Sequence, residues 1–289
     1  MDKYIFLIPV YNDWSSLNKL LENINNSIDT KFVNNEILII NDGSTENPAV
    51  KINQFSYLRK LTIINLNKNL GSQKSIAIGL KYLLSLKEKS IITIMDSDGE
   101  DDPEKINEMI EYALTNRDHV ITSNRTNRKE NPIFKTLYVI HKFITFVLSG
   151  YWISFGNFSS FDSLNLHKIL KNNNSWLAYS SAVIDNAKIK RLYAKRLQRY
   201  FGKSKVKFLS LIMHSLRVVS VMLERVLAIS FVYSLFLLSL YFFFNELGFL
   251  IVIIPLLMFN LALIVIKKIL NTKQLDNWKS FIKNIKIIN

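Results

Sequence analysis

Two stretches without a charged residue dominate the last third of the chain, residues 226–244 and 247–266, parted only by Asn245-Glu246. Each approaches the roughly 20 apolar residues that a helix needs to cross a bilayer. A chain of 289 residues has little room to bury two helices that are apolar all round. The pair therefore reads as a tight transmembrane hairpin rather than a soluble core. Arg217 and Arg225 precede it; Lys267, Lys268, Lys273 and Lys279 follow it. The positive-inside bias places both flanks in the cytoplasm. This predicts a multi-pass protein of the cytoplasmic membrane, with its N-terminal domain and C-terminus inside. Between Lys188 and Arg225 the only acid is Glu224. Residues 206–223 carry Phe208, Leu211, Ile212, Leu216, Val219 and Leu223 at helical spacings. A basic and apolar helix beside the spans suits the surface of an anionic leaflet.

The N-terminal part obeys another pattern. Short apolar runs at residues 4–10, 36–40, 61–66, 91–95 and 119–122 read as strands. Between them lie helical periods at 14–28, 73–86 and 103–114, and a weaker one at 48–55. Ser72 is the expected cap of the second helix. The N-terminal apolar core, residues 4–8 before Pro9, is too short for a signal peptide, and no small-residue cleavage site follows. Alternating strands and helices predict an α/β fold, a mostly parallel sheet covered on both faces. Residues 123–150 begin with a basic turn, Arg125, Arg128 and Lys129, and an apolar helix follows with Phe134, Leu137, Tyr138, Phe143, Ile144, Val147 and Leu148, covering the sheet or leaning on a membrane. Residues 151–161 are ambiguous, with a turn at Gly156-Asn157-Phe158, and residues 162–170 look helical. The expected division is a catalytic domain over 1–200, a basic amphipathic segment over 201–225, the spans over 226–266, and a basic tail over 267–289.

In such sheets ligands sit outside the carboxyl ends of the strands. Three strands end in acidic turns there, at Asp13, Asp42 and Asp96-Ser97-Asp98. Two carboxylates at i and i+2 can share Mg²⁺ or Mn²⁺ with a substrate diphosphate, because these cations prefer oxygen and keep few protein ligands. Taken alone, the same residues also suit an acidic turn capping the helix that Pro103-Glu104 begins. With no Cys and only four His, a zinc site is not expected. The net charge of +14 suits nucleic acid, an anionic membrane or phosphate substrates. Its clustering beside the apolar spans favours the lipid bilayer over nucleic acid.

Several motifs in order resemble glycosyltransferase family 2, of GT-A fold, and within it the polyprenyl-phosphate (dolichol-phosphate type) sugar transferases. They are Pro9-Val10-Tyr11-Asn12-Asp13, Asn41-Asp42-Gly43-Ser44-Thr45, Asn69-Leu70-Gly71, Asp96-Ser97-Asp98, Pro103-Glu104, Ser123-Asn124-Arg125 and Arg199-x-x-Gly202-Lys203-Ser204-Lys205. The resemblance implies that Pro9, Tyr11, Asp13 and Asp42 hold the nucleotide, with Asp96 near ribose and metal. It implies Asp98 on the metal, Glu100 as a third oxygen ligand, and Arg125 neutralising diphosphate. Arg128, Arg199, Ser204 and Lys205 would handle the acceptor phosphate; Arg forks and a Lys point charge suit that task.

Three features depart from the family pattern. Asn41 stands where relatives often have Asp, Asn157 and Ser159 where many have Asp and Arg, and Asp101-Asp102 replaces a less acidic pair. The reaction implied is inverting, metal-dependent transfer of a sugar from a nucleoside-diphosphate sugar, UDP-linked, to a polyprenyl (undecaprenyl) phosphate. An acceptor phosphate is already ionised and needs no strong base. A sugar hydroxyl needs one, and Asp101, Asp102 and Asp162 are the candidates. The departures point to the alternative, extension of a lipid-linked oligosaccharide for O-antigen or capsule. A third class is an inactive, membrane-anchored nucleotide-sugar binder, against which the intact Asp96 and Asp98 argue. Homo-oligomerisation is left open.

Overall fold

The computed structural model describes residues 3–47, 50, 58–126, 132–202 and 208–288. The chain divides into two compact units. One comprises Met1–Lys129, Ser154–Lys205 and Lys273–Asn289; the other comprises Glu130–Ile153 and Val206–Thr272. The sequence-based division at 200 thus differs in two places. The helix after residue 130 groups with the apolar spans, and the tail groups with the sheet. The weak helix expected at 48–55 falls almost wholly outside the described residues.

The first unit is built on one eight-stranded sheet. Its strands are β1 (Lys3–Val10), β2 (Asn35–Asn41), β3 (Leu58–Leu66), β4 (Ser90–Ile94), β5 (His119–Thr126), β6 (Phe155–Asp162), β7 (Lys188–Lys195) and β8 (Ile282–Ile288). They lie in the order β7-β5-β6-β4-β1-β2-β3-β8. β6 runs against β4 and β5, β8 runs against β3, and the other strands are mutually parallel. Six parallel strands confirm the α/β expectation.

The strand period of two sorts β1 between two cores. Tyr4, Phe6 and Ile8 pack in a cluster with Trp14, Leu17, Leu20, Leu21 and Ile24 of α1 (Trp14–Ser27). Met109 and Ile110 of α3 (Ile106–Thr115) complete that face. On the opposite face α2 (Ser72–Leu86) lies so close that a Cβ on Gly79 would come 2.5 Å from Leu7 Cδ1. Gly79 is therefore a packing residue. The cap of α2 is Gly71, with φ +90°, and not Ser72, which is the first helical residue. The short α5 (Leu166–Ile169) and α6 (Tyr179–Asn186) follow β6.

Three strands were not expected. β6 occupies a stretch whose sequence is ambiguous, with a turn expected at Gly156-Asn157-Phe158. Its Gly156-Asn157-Phe158 lies within the strand, between the pairings of Phe155 with Asn124 and of Ser159 with Thr122, where the register shifts. β7 lies inside the basic region; its Lys188, Lys190, Arg191 and Lys195 charge a sheet edge, a common guard against edge-to-edge pairing. β8 lies within the expected basic tail. Its residues pair from Leu61↔Ile288 to Leu66↔Ile282. Asn41, Asn65 and Asn284 join β2, β3 and β8 by side-chain bonds of 2.7 Å each.

The second unit contains α4 (Pro132–Ser149), α7 (Phe208–Val221), α8 (Leu223–Phe244) and α9 (Gly248–Ile269). α8 and α9 are long and apolar enough to cross a membrane. Their large side chains are mostly open, with Phe243 81% and Met258 67% exposed, unlike those of a soluble core helix. Ser230 of α8 donates to Asn260 Oδ1 of α9 at 3.2 Å, a buried polar link between the two. Asn245 closes α8 in the left-handed conformation, at φ 55°.

Candidate active site

The sheet order has a reversal point. From β1 the chain moves outward to β2 and β3, then crosses back to place β4 on the other side of β1. At such a switch point the two loops diverge and leave a crevice at the carboxyl edge. Here the diverging loops carry Asp13 after β1, and Asp96 and Asp98 after β4. Pro9 marks the spot. Leu7 O still accepts from Met95 N at 3.2 Å, whereas Val10 O accepts from Asp42 N of the β2 side. By alternation the missing N–H of Pro9 faces where β4 has already ended, so Pro costs no ladder bond.

The β4 turn is tightly organised. Asp101 Oδ2 accepts from Asp96 N at 3.0 Å, and Asp98 Oδ1 accepts from Glu100 N at 3.1 Å. Asp102 caps the single turn Pro103–Lys105 by accepting from Glu104 N. Gly99 has φ +85°, and a Cβ there would lie 2.3 Å from the ring of Tyr200. The segment after β7 is laid over this turn. Tyr200 N donates to Asp98 O at 3.0 Å and Leu197 N to Glu100 O at 2.9 Å. Tyr200 OH accepts from Asn23 Nδ2 of α1 at 2.7 Å. This strap brings two guanidinium groups onto the acids. Arg199 bridges Asp98 Oδ2, at 3.1 Å, and Asp13 Oδ2. Arg196 Nε bonds Glu100 Oε2 at 3.0 Å. Asp13 makes no capping bond to α1; its carboxylate serves the crevice.

Burial and the neighbouring charge of Asp96 push the Asp98 carboxyl up to about 6, against the pull of Arg199. Asp42 is also raised, by burial first. Both Asp42 oxygens accept backbone N–H groups, Leu70 N at 2.7 Å and Gly71 N at 2.8 Å. Asp42 thus ties the β2 and β3 loops together. Gly43 (φ +68°) is needed beside it, since a Cβ would sit 2.5 Å from the Lys68 carbonyl carbon. Asn12 (φ 46°) clamps the same loop, accepting from Thr45 N and donating to Thr45 Oγ1. Tyr11 beside it is 40% exposed. Asn41 accepts from Ser44 N and donates to Asn65 Oδ1.

The structure therefore gathers Pro9, Tyr11, Asp13, Asp96, Asp98, Glu100 and Arg199 at one edge. It aims Asp42 at the backbone and Glu100 at Arg196. The side chain of Arg125, and Arg128, Ser204 and Lys205 entirely, lie outside the described residues. Among those described, no ready-made cluster of three or more metal-binding side chains is present. The expected set of Asp96, Asp98 and Glu100 is thus not preassembled. What the donor set fits is a cation shared with phosphate oxygens, which needs only one or two carboxylates.

The three carboxylates weighed as bases have other duties. Asp101 and Asp102 hold the turn. Asp162 is paired with Ile91 at the start of β4, the opposite edge of the sheet, and is buried against Arg117 at 2.7 Å. Sequence reasoning missed Arg196, Tyr200, Asn12 and Gln73. The i, i+3 pair Arg196 and Arg199 was a visible signal for the first. Gln73 Oε1 accepts from Tyr179 N at 2.7 Å, Gln73 Nε2 donates to Asn157 Oδ1 at 3.0 Å, and Asn157 Nδ2 donates to Asp96 Oδ1 at 2.8 Å.

The model of the family described as "Glycosyl transferase family 2" matches residues 5–177. The chain belongs to this family. Among curated members it is 30% identical over 134 residues to an uncharacterized glycosyltransferase, YkcC, of Bacillus subtilis, covering 46% of this chain and 40% of that one. It is 32% identical over 132 residues to the undecaprenyl-phosphate 4-deoxy-4-formamido-L-arabinose transferase of Aeromonas hydrophila, covering 45% and 39%. The chain thus matches about two fifths of the length of these glycosyltransferases. Among solved structures it resembles glucosyl-3-phosphoglycerate synthase of Mycobacterium tuberculosis, crystallised with Mn²⁺, UDP-glucose and phosphoglyceric acid. The TM-score is 0.55 at 12% identity, over 78% of this chain and 80% of that one. At that identity the likeness is one of fold, and the fold is GT-A.

Proposed function

We propose that this family 2 transferase moves a sugar from a UDP-sugar to a polyprenyl phosphate at the cytoplasmic face of a membrane. The observation that carries the reading is the crevice at the β1–β4 switch point, with Asp13, Asp96 and Asp98 collected under Arg199. The activity named for the Aeromonas relative and the ligands of the Mycobacterium neighbour support the acceptor and the donor. The commitment of Asp101, Asp102 and Asp162 elsewhere favours an acceptor that arrives already ionised. A phosphate oxygen attacks the anomeric carbon with inversion, and the departing nucleoside diphosphate takes the electron pair of the broken bond.

Asp96 and Asp98 would hold Mg²⁺ or Mn²⁺ beside the diphosphate; a divalent cation there offsets charge on the leaving group. Tyr11 offers an exposed ring to the base and Asp13 a carboxylate to the nucleoside. Arg199 can exchange its carboxylate partners for phosphate oxygens, the same fork geometry serving both. Fixed charge of this kind is commonly the largest catalytic contribution. The chain leaves the sheet unit after Lys205 and is back in it by Lys273. Two crossings by α8 and α9 satisfy that return, and the basic flanks set the side.

The test uses the full chain in detergent with Mn²⁺ or Mg²⁺, undecaprenyl phosphate and a panel of nucleotide sugars. The expected product is a metal-dependent monoglycosyl lipid phosphate. Transfer only to an added lipid-linked oligosaccharide would refute the acceptor and make the enzyme a chain-extending one.

A further inference from the structure

Asn157 and Gln73 take no part in the proposed transfer, yet they meet the site through a chain of directed hydrogen bonds. The chain begins at Tyr179 N, the first backbone donor of α6, which has no intrahelical partner. It can only donate, so the Gln73 atom facing it at 2.7 Å is the carbonyl oxygen. The other end of the Gln73 amide must then be NH₂, and it meets Asn157 Oδ1 at 3.0 Å. That in turn leaves the Asn157 NH₂ to face Asp96 Oδ1 at 2.8 Å. A flip of either amide sets oxygen against oxygen or N–H against N–H. Asn157 is buried, 9% exposed, and its main-chain carbonyl accepts from Ser159 Oγ at 3.0 Å within the same strand.

We infer that Gln73 and Asn157 form a polarity relay. The N-terminus of α6 dictates which way the Asn157 amide faces, and through it the Asp96 carboxylate is held in one orientation for its nucleotide–metal ligand. Both are positioning residues. The inference rests on the proposed reading of Asp96. Asp101 pins the Asp96 backbone and Asn157 pins its side chain, so the carboxylate is fixed twice. An amide at 157 supplies a donor to Asp96, where an aspartate would face it with a second carboxylate.

The relay makes a prediction that simple packing does not. In Gln73→Glu the new carboxylate still accepts from Tyr179 N but offers no donor to Asn157. The Asn157 amide must turn over and present its oxygen to Asp96. In Gln73→Met nothing compels that turn, and Asn157 can still donate to Asp96. Tyr179 N then loses its acceptor, which harms stability instead. UDP binding in the presence of Mn²⁺ is measured by calorimetry on the full chain in detergent, alongside the melting temperature. Gln73→Glu is expected to weaken UDP binding by about tenfold or more, the scale of one bond to a charged group. Gln73→Met is expected to bind nearly as wild type while melting lower than Gln73→Glu.

The two readouts thus rank the variants oppositely. Equal binding by Gln73→Glu and wild type, or equal losses in both variants, would overturn the relay while leaving the site assignment standing. Failure of the wild-type chain to bind UDP with Mn²⁺ would overturn both. Should Gln73→Glu not fold, Asn157→Asp decides: a loss of similar size supports the relay and unchanged binding refutes it.

Discussion

Asp98→Asn should make the metal-free protein more stable and the enzyme inactive. The Asp98 carboxyl is raised from an ordinary 3.8 to about 6, by burial and by Asp96. Between those values the folded chain holds a proton that the unfolded chain has released. Stability therefore falls as pH rises from about 4 to about 6, and levels off above. A displacement of roughly 2 pH units corresponds to about 3 kcal/mol. Asparagine resembles the protonated form and escapes this cost, though it weakens the contact with Arg199. The variant should exceed wild type by about 2–3 kcal/mol at pH 7 and match it near pH 4. The assay is thermal unfolding of the full chain in detergent with a chelator, followed by tryptophan fluorescence at several pH values. A variant no more stable than wild type at pH 7, or an advantage that persists unchanged at pH 4, would refute the reasoning. The same variant should lose Mn²⁺-dependent UDP binding, read by calorimetry.

Two further substitutions probe the turn and the opposite edge. Gly99→Ala forces a side chain into the left-handed region and against the Tyr200 ring, so a stability loss of about 1–3 kcal/mol is expected with loss of activity; adding Tyr200→Ala should restore only part, because the backbone strain remains. An unchanged melting temperature would show that the strap does not press on the turn. Asp162→Asn should cost about 1 kcal/mol through its pair with Arg117 and leave turnover untouched, whereas a collapse of turnover in a folded variant would restore Asp162 as a base.

The parts of the site that follow parallel strands were legible in the sequence, since each such strand delivers its last residues to the same edge. That logic alone points to Asp13 and the Asp96–Asp98 pair as candidates, and the family resemblance points to the same residues. The logic failed where direction reverses. β6 is antiparallel, so its beginning, at Asn157, reaches the site edge and its end, at Asp162, does not. No local feature of Phe155–Asp162 announces that direction. Asp42 shows a different limit. A carboxylate after a strand can face a ligand or its own backbone, and only the approach of Leu70 and Gly71 decides. The strap from Arg196 to Tyr200 depended on β7, whose alternation was hidden under a basic composition.

The pairing of β8 with β3 has a consequence for how the molecule is made. The ribosome releases β3 well before β8, with both apolar spans between them. Until Ile282–Ile288 emerges, one margin of the sheet stays unmatched, and Asn65 waits for Asn284. A nascent chain halted before that point would carry the whole crevice but an open border. A fragment cut after β7 to discard the greasy helices would inherit that border permanently. Loss of solubility in such a fragment would then reflect the missing last strand as much as the missing membrane.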